Sequence, residues 1–121
     1  DHTKGSLYIH SSRGYTRDGR IKPDLAAPGV DVYGPGISSI PGDFPYTRMT
    51  GSSIAAAHVA GAAACLYSWG YVKGNEPSIN SRSIKAYLTL GADRIAAYRY
   101  PNPEWGYGML NLYQSFLAMR E

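Results

Sequence analysis

Eleven consecutive positions, Gly51-Ser52-Ser53-Ile54-Ala55-Ala56-Ala57-His58-Val59-Ala60-Gly61, set the terms for the rest of the chain: a Gly-Ser-Ser turn runs directly into almost wholly small residues. Small side chains let a helix lie close to its neighbours on several sides. The helix starting here is therefore expected at the centre of the fold, from about Ser53 to Trp69 with Gly70 closing it, buried on most sides. Gly51 lets the backbone bend without a side chain blocking approach to the hydroxyls that follow. The first turn of a helix has backbone N–H groups with no intrahelical acceptor, a partly positive site that can hold developing negative charge. Ser53 is thus a candidate nucleophile, with Gly51 and Ser52 shaping the turn beside it. Serine is also a preferred N-cap, and a Gly-Ser-Ser turn taken alone suits that simpler role better.

The 121 residues suffice for one modest domain, and nothing in them marks a second. Twelve basic and nine acidic residues are scattered without a run of like charge, which argues against a nucleic-acid arm or a basic membrane patch. Neither a signal peptide nor an apolar run of membrane-spanning length is visible. The chain opens on Asp1 rather than Met, as expected of a piece of something longer. Cys65, the one cysteine, lies between Ala64 and Leu66 and is expected to be a buried, inert thiol.

Taken in order, Ser6–Ser11 reads as a short strand, Tyr15–Pro28 as a turn followed by an extended surface run, and Val30–Tyr33 as a half-buried strand stopped by Gly34-Pro35-Gly36. Ile37–Thr50 reads as a long loop that delivers the chain to Ser53. A second, amphipathic helix is predicted from Asn80 or Ser81 to Leu90, ended by Gly91, with Ile84, Tyr87 and Leu88 on its inner stripe. A last helix runs from an Asn111 cap to Met119, with Leu112, Phe116 and Met119 facing inward.

The Gly51–Gly61 stretch resembles the nucleophile motif of the subtilisin-like serine proteases, Gly-Thr-Ser-Met-Ala-x-Pro-His-Val-Ala-Gly. It departs at Ser52 for Thr, Ile54 for Met and Ala57 for Pro. Ser52 keeps the hydroxyl, Ile54 keeps an apolar neighbour without an oxidisable thioether, and Ala57 stands where Pro is tolerated but not required. The likeness continues through Ser11-Ser12-Arg13-Gly14, Asp18 to Asp24 and Ala27-Pro28-Gly29-Val30. It ends with Gly106-Tyr107-Gly108 and Asn111, which look like the Gly-x-Gly-x-x-Asn signature leading into the last helix. Tyr8-Ile9, Val32-Tyr33-Gly34-Pro35, the Ala-Ala-Ala-His form of the helix and Asn102-Pro103-Glu104-Trp105-Gly106 are similar to the clostridial Csp-type subtilases of spore germination.

The resemblance implies an α/β architecture, the C-terminal portion of a three-layer fold with a mostly parallel sheet. It implies a serine endopeptidase in which Ser53 passes its proton to a histidine and attacks a peptide carbonyl. The family's chain order is Asp, His, Ser, so both partners, and the oxyanion asparagine, are expected before Asp1. It further implies that His58, Pro28, Gly29, Gly106, Gly108 and Asn111 are structural, and that the leaving group lies near Met49 and Thr50. Its partners would be a polypeptide substrate and the N-terminal remainder of the domain, and its setting secreted or spore-associated.

His58 is the tempting base, but five residues along an ideal helix rotate it by roughly 140° from Ser53. His10 and His2 belong to no motif that would bring them to the serine, and no residue spacing supports a metal site. The resemblance allows a structural cation near Asp24 in a full-length protein, yet one carboxylate is better read as a surface polar residue, and no cofactor is expected. A lone segment should be nearly inactive and, with its sheet missing, should self-associate or bind the remainder of its domain. Two other readings stay open: a catalytically dead subtilase serving as a binding or regulatory scaffold, and an unrelated small interaction domain.

Overall fold

The structure, a computed structural model, describes residues 6–120. It contains a β-hairpin, β1 (Val32–Pro35) with β2 (Tyr46–Met49), and three α-helices, α1 (Ser52–Tyr67), α2 (Ser81–Leu90) and α3 (Leu112–Arg120).

Alanine-rich sequence favours helix strongly, and α1 forms over the stretch expected, but it does not stop at Gly70. Its last turn widens into a π-helical segment, Ser68–Val72, in which Lys73 N–H reaches back to Ser68 O. Gly70 is buried there because of packing: a Cβ at that position would come within 2.9 Å of Met119 Cε and 3.1 Å of Ile79 Cδ1. The glycine read as a helix stop instead lets α3 and the Ile79 turn approach closely.

One face of α1 carries Val59, Ala62, Ala63 and Leu66 at helical spacing, and it meets α2 and α3 over a core of Ala62, Leu66, Ile79, Leu88 and Met119. Trp69 and Phe116 close this core edge to face, with ring centroids 6.1 Å apart. The opposite face, Ala56, Ala57, Ala60, Gly61, Ala64 and Cys65, is exposed. Two expectations are corrected here. The helix is covered by the described residues on one side only, and Cys65 is exposed because it falls on the uncovered side.

Helix α2 begins with a reciprocal capping box: Ser83 N–H donates to Asn80 Oδ1 and Asn80 N–H donates to Ser83 Oγ, at 3.0 and 2.9 Å. It ends at Gly91, as the sequence indicates. Ser6–Ser11 forms no strand, since nothing among the described residues pairs with it. The region read as one loop, Ile37–Thr50, contains β2, and β1 runs through Gly34 and Pro35 rather than stopping before them. Pairing is antiparallel, from Val32 opposite Met49 to Pro35 opposite Tyr46.

Isolated bridges tie the middle of the chain to its end. Leu25 pairs antiparallel with Gly106 and Ala26 parallel with Met109, while Asp93 pairs antiparallel with Met109. The Ala26–Met109 bridge is the one parallel contact among the described residues, so those residues build no parallel sheet of their own. No helix of the described residues is long and apolar enough to cross a membrane.

Candidate functional site

Ser53 sits in the first turn of α1 with its side chain exposed. Gly51 precedes the helix in extended conformation, and its carbonyl accepts from Ile54 and Ala55 N–H at 3.1 and 3.3 Å. The Ser52 and Ser53 N–H groups are left without a backbone acceptor among the described residues, as the start of a helix dictates. A reachable hydroxyl beside open N–H donors is the arrangement that nucleophilic attack with oxyanion stabilisation needs.

Two segments hold this turn. Gly51 N–H donates to Gly29 O at 2.8 Å, and a Cβ on Gly29 would lie 2.9 Å from Gly51 O and 3.2 Å from Ala55 Cβ. Gly29 is therefore the floor against which the Ser53 turn rests. On the other side Thr50 Oγ1 accepts from Asp31 N–H at 2.9 Å. Asp31 has φ 48°, a left-handed geometry that short polar residues tolerate better than branched ones. Met49 ends β2 and Thr50 follows it, so both stand beside the Ser53 turn, exposed.

The Gly106–Asn111 signature lies at the other end of the same connection. Gly106 (φ 59°) and Gly108 (φ 127°) take backbone conformations that favour glycine, and Gly108 is also closed in by Asp93 O. Between them Tyr107 N–H donates to Asp24 O, and beyond them Leu110 N–H donates to Ala26 O, at 2.9 and 2.8 Å. Asn111 Oδ1 then caps α3 through Gln114 N–H at 3.1 Å, while its Nδ2 donates to Asp93 Oδ1 at 3.0 Å. These bonds anchor residues 24–26, and two residues beyond Ala26 the chain passes through exposed Pro28 into Gly29. The motif supports the site without touching it.

His58 is half-buried, and its Nδ1 lies 3.1 Å from Ile54 O on its own helix. Neither it nor any other described histidine or carboxylate hydrogen-bonds Ser53. His10 is exposed and edge-on to Tyr8, and His2 lies outside the described residues. Asp24 is more structured than the surface residue expected. Its Oδ2 takes Lys22 Nζ at 2.6 Å and Lys85 Nζ at 3.4 Å. Partial burial acts to raise its carboxyl, but the hydrogen bonds and charges of the two lysines together outweigh burial and hold it below the ordinary carboxylate value. No group of three or more potential ligands is assembled among the described residues.

Two residues with long-range contacts escaped sequence reasoning. Asp93 pairs its backbone with Met109 and its side chain with Asn111 from 18 positions away, and no local spacing signals that. Arg48 lies on the face of β2 shared by Tyr46, a pairing that becomes readable only once Tyr46–Met49 is recognised as a strand.

Residues 1–108 match the sequence model of the subtilase family. Pyrolysin of Pyrococcus furiosus is 32% identical over 127 aligned positions, 98% of this chain and 8% of pyrolysin. The C5a peptidase of Streptococcus pyogenes is 47% identical over 51 positions, 42% of this chain and 4% of that protein. The solved structure of the Clostridium perfringens CspB protease superposes with a TM-score of 0.81 at 36% identity, over 96% of this chain and 24% of that one. The chain thus spans a small fraction of the relatives it matches.

Proposed function

The chain belongs to the subtilase family, and on that premise we propose that it is the nucleophile-bearing, C-terminal segment of a serine endopeptidase domain. The observation that carries this reading is Ser53 itself: exposed in the first turn of α1, beside unengaged N–H groups, with its turn seated on Gly29. In the intact domain Ser53 Oγ loses its proton to a histidine supplied from outside this segment and attacks the peptide carbonyl. The carbonyl oxygen becomes an oxyanion that Ser53 N–H and a donor from the rest of the domain receive, the amine departs with the histidine's proton, and water releases the acyl group. Without those partners the segment is nearly inactive.

The uncovered small-residue face of α1 supports the same reading, since it offers a place where the remaining, mostly parallel sheet of a three-layer domain would lie. An isolated segment should hide that face by self-association or by binding the rest of the domain. The likeness to the CspB protease supports a narrower role, cleavage of a protein precursor during spore germination by a secreted or spore-associated enzyme. The test is peptide-bond hydrolysis by the intact protein and its Ser53→Ala variant. Hydrolysis that disappears with Ser53 is expected. A well-folded intact protein that hydrolyses no peptide would overturn the proposal in favour of a non-catalytic scaffold.

A further inference from the structure

The hairpin that leads into Ser53 carries a cation, Arg48, with no counter-charge among the described residues. On one face of β1–β2, Tyr33 stands opposite Arg48, and Tyr46 follows on the same face two residues before it. The Arg48 guanidinium lies over the Tyr33 ring, 5.4 Å from its centroid, and the Tyr33 and Tyr46 rings stack at 5.8 Å with 25° between their planes. All three side chains are exposed. Arg48 makes no ion pair among the described residues, and the two carboxylates on this hairpin's flanks are engaged elsewhere or out of reach. Asp43 accepts from Ser38 Oγ at 2.9 Å, and Asp31 is not within ion-pair distance of Arg48.

Stacking on a ring face limits the freedom of a guanidinium but leaves its planar set of N–H donors available, a geometry suited to a carboxylate. The position also matters. Arg48 is in β2, which ends at Met49 and leads through Thr50 into the Ser53 turn. At about 3.3 Å per extended residue, Arg48 lies within about 17 Å of Ser53 along the chain. An extended peptide held at Ser53 covers that distance with about five residues.

Building on the protease reading, we propose that Tyr33, Tyr46 and Arg48 form a specificity platform that selects polypeptide substrates with an Asp or Glu within about five residues of the bond cleaved at Ser53. The tyrosines hold the guanidinium and the carboxylate pairs with it. An exposed pair of this kind changes affinity by about two- to five-fold, and the effect weakens with salt.

The test uses the intact protein with a peptide series in which Asp or Glu, or the isosteric Asn or Gln, is placed in turn at each of five positions on either side of the cleaved bond. The expected result is a two- to five-fold higher kcat/KM for the acidic peptide at one position. Arg48→Gln should abolish that preference, and Tyr33→Leu should reduce it. To keep this inference separate from the protease reading, the same peptides are titrated onto the Ser53→Ala protein by fluorescence anisotropy, where the acid preference and its dependence on Arg48 should appear without any cleavage. Equal binding of acidic and neutral peptides, or an acid preference that survives Arg48→Gln, would overturn the platform whatever the outcome for hydrolysis.

Discussion

Gly29→Ala tests how tightly the nucleophile turn is held. The added Cβ would sit 2.9 Å from Gly51 O and 3.2 Å from Ala55 Cβ. Ordinary contacts of this kind begin near 3.4 Å, so the carbonyl must retreat by about 0.5 Å. The backbone at Gly29 has no left-handed φ, so the cost is one of crowding alone, about 1–3 kcal/mol for an overpacked contact. Retreat of Gly51 O pulls on the Gly29–Gly51 hydrogen bond and on the Ile54 and Ala55 N–H groups that the same carbonyl receives, and so turns the first residues of α1. Misplacement of a reacting group by 1 Å costs about 100-fold. Half that displacement should cost about tenfold. The expected outcome in the intact protein is acylation of Ser53 slowed about tenfold, with unfolding in denaturant shifted by 1–3 kcal/mol. Ala55→Gly in the same background removes the Cβ contact but not the carbonyl contact, and should restore activity only in part. A Gly29→Ala protein that acylates at the wild-type rate would refute the idea that Gly29 seats the turn.

Leu66 is wholly buried at the centre of the core, and Leu66→Ala should cost about 2–5 kcal/mol in denaturant unfolding. Asn111→Ala removes both the α3 cap and the bond to Asp93, a loss of about 1–3 kcal/mol by the same measurement. Asn111→Asp should keep the cap but set a second carboxylate against that of Asp93, so it should recover the lost stability only in part. The Asp24 carboxyl is held below its ordinary value, so its contribution is present in full above the unfolded-state value near 4 and is lost as the pH falls through the lower folded-state value. Asp24→Asn should flatten that acid limb of a stability–pH profile while changing nothing near neutrality on its slope.

The parts of this fold that were legible in the sequence are those set by local chemistry. Asn80 starts α2 because a side-chain acceptor begins a helix, and Asn111 caps α3 for the same reason. Ser53 and its turn were legible because helix-start chemistry and motif agree. The misreadings have a common cause, which is that the deciding partner is distant in sequence. Gly70 looks like a stop until Met119 and Ile79 are packed against it. Ser6–Ser11 has strand composition but no strand beside it among the described residues, whereas Tyr46–Met49, behind Gly42 and Pro45, becomes a strand because Val32–Pro35 lies opposite. Gly29 was identified through the resemblance alone, and its contact with Gly51 supplies the physical reason.

The central claim is that Ser53 is a nucleophile whose base comes from outside these residues. Labelling by a fluorophosphonate, which reports an activated serine, tests it most directly. The account predicts rapid labelling of the intact protein that Ser53→Ala abolishes, and labelling near background for the 121-residue chain alone. Strong Ser53-dependent labelling of the chain alone would contradict it, because a base would then have to lie within these 121 residues.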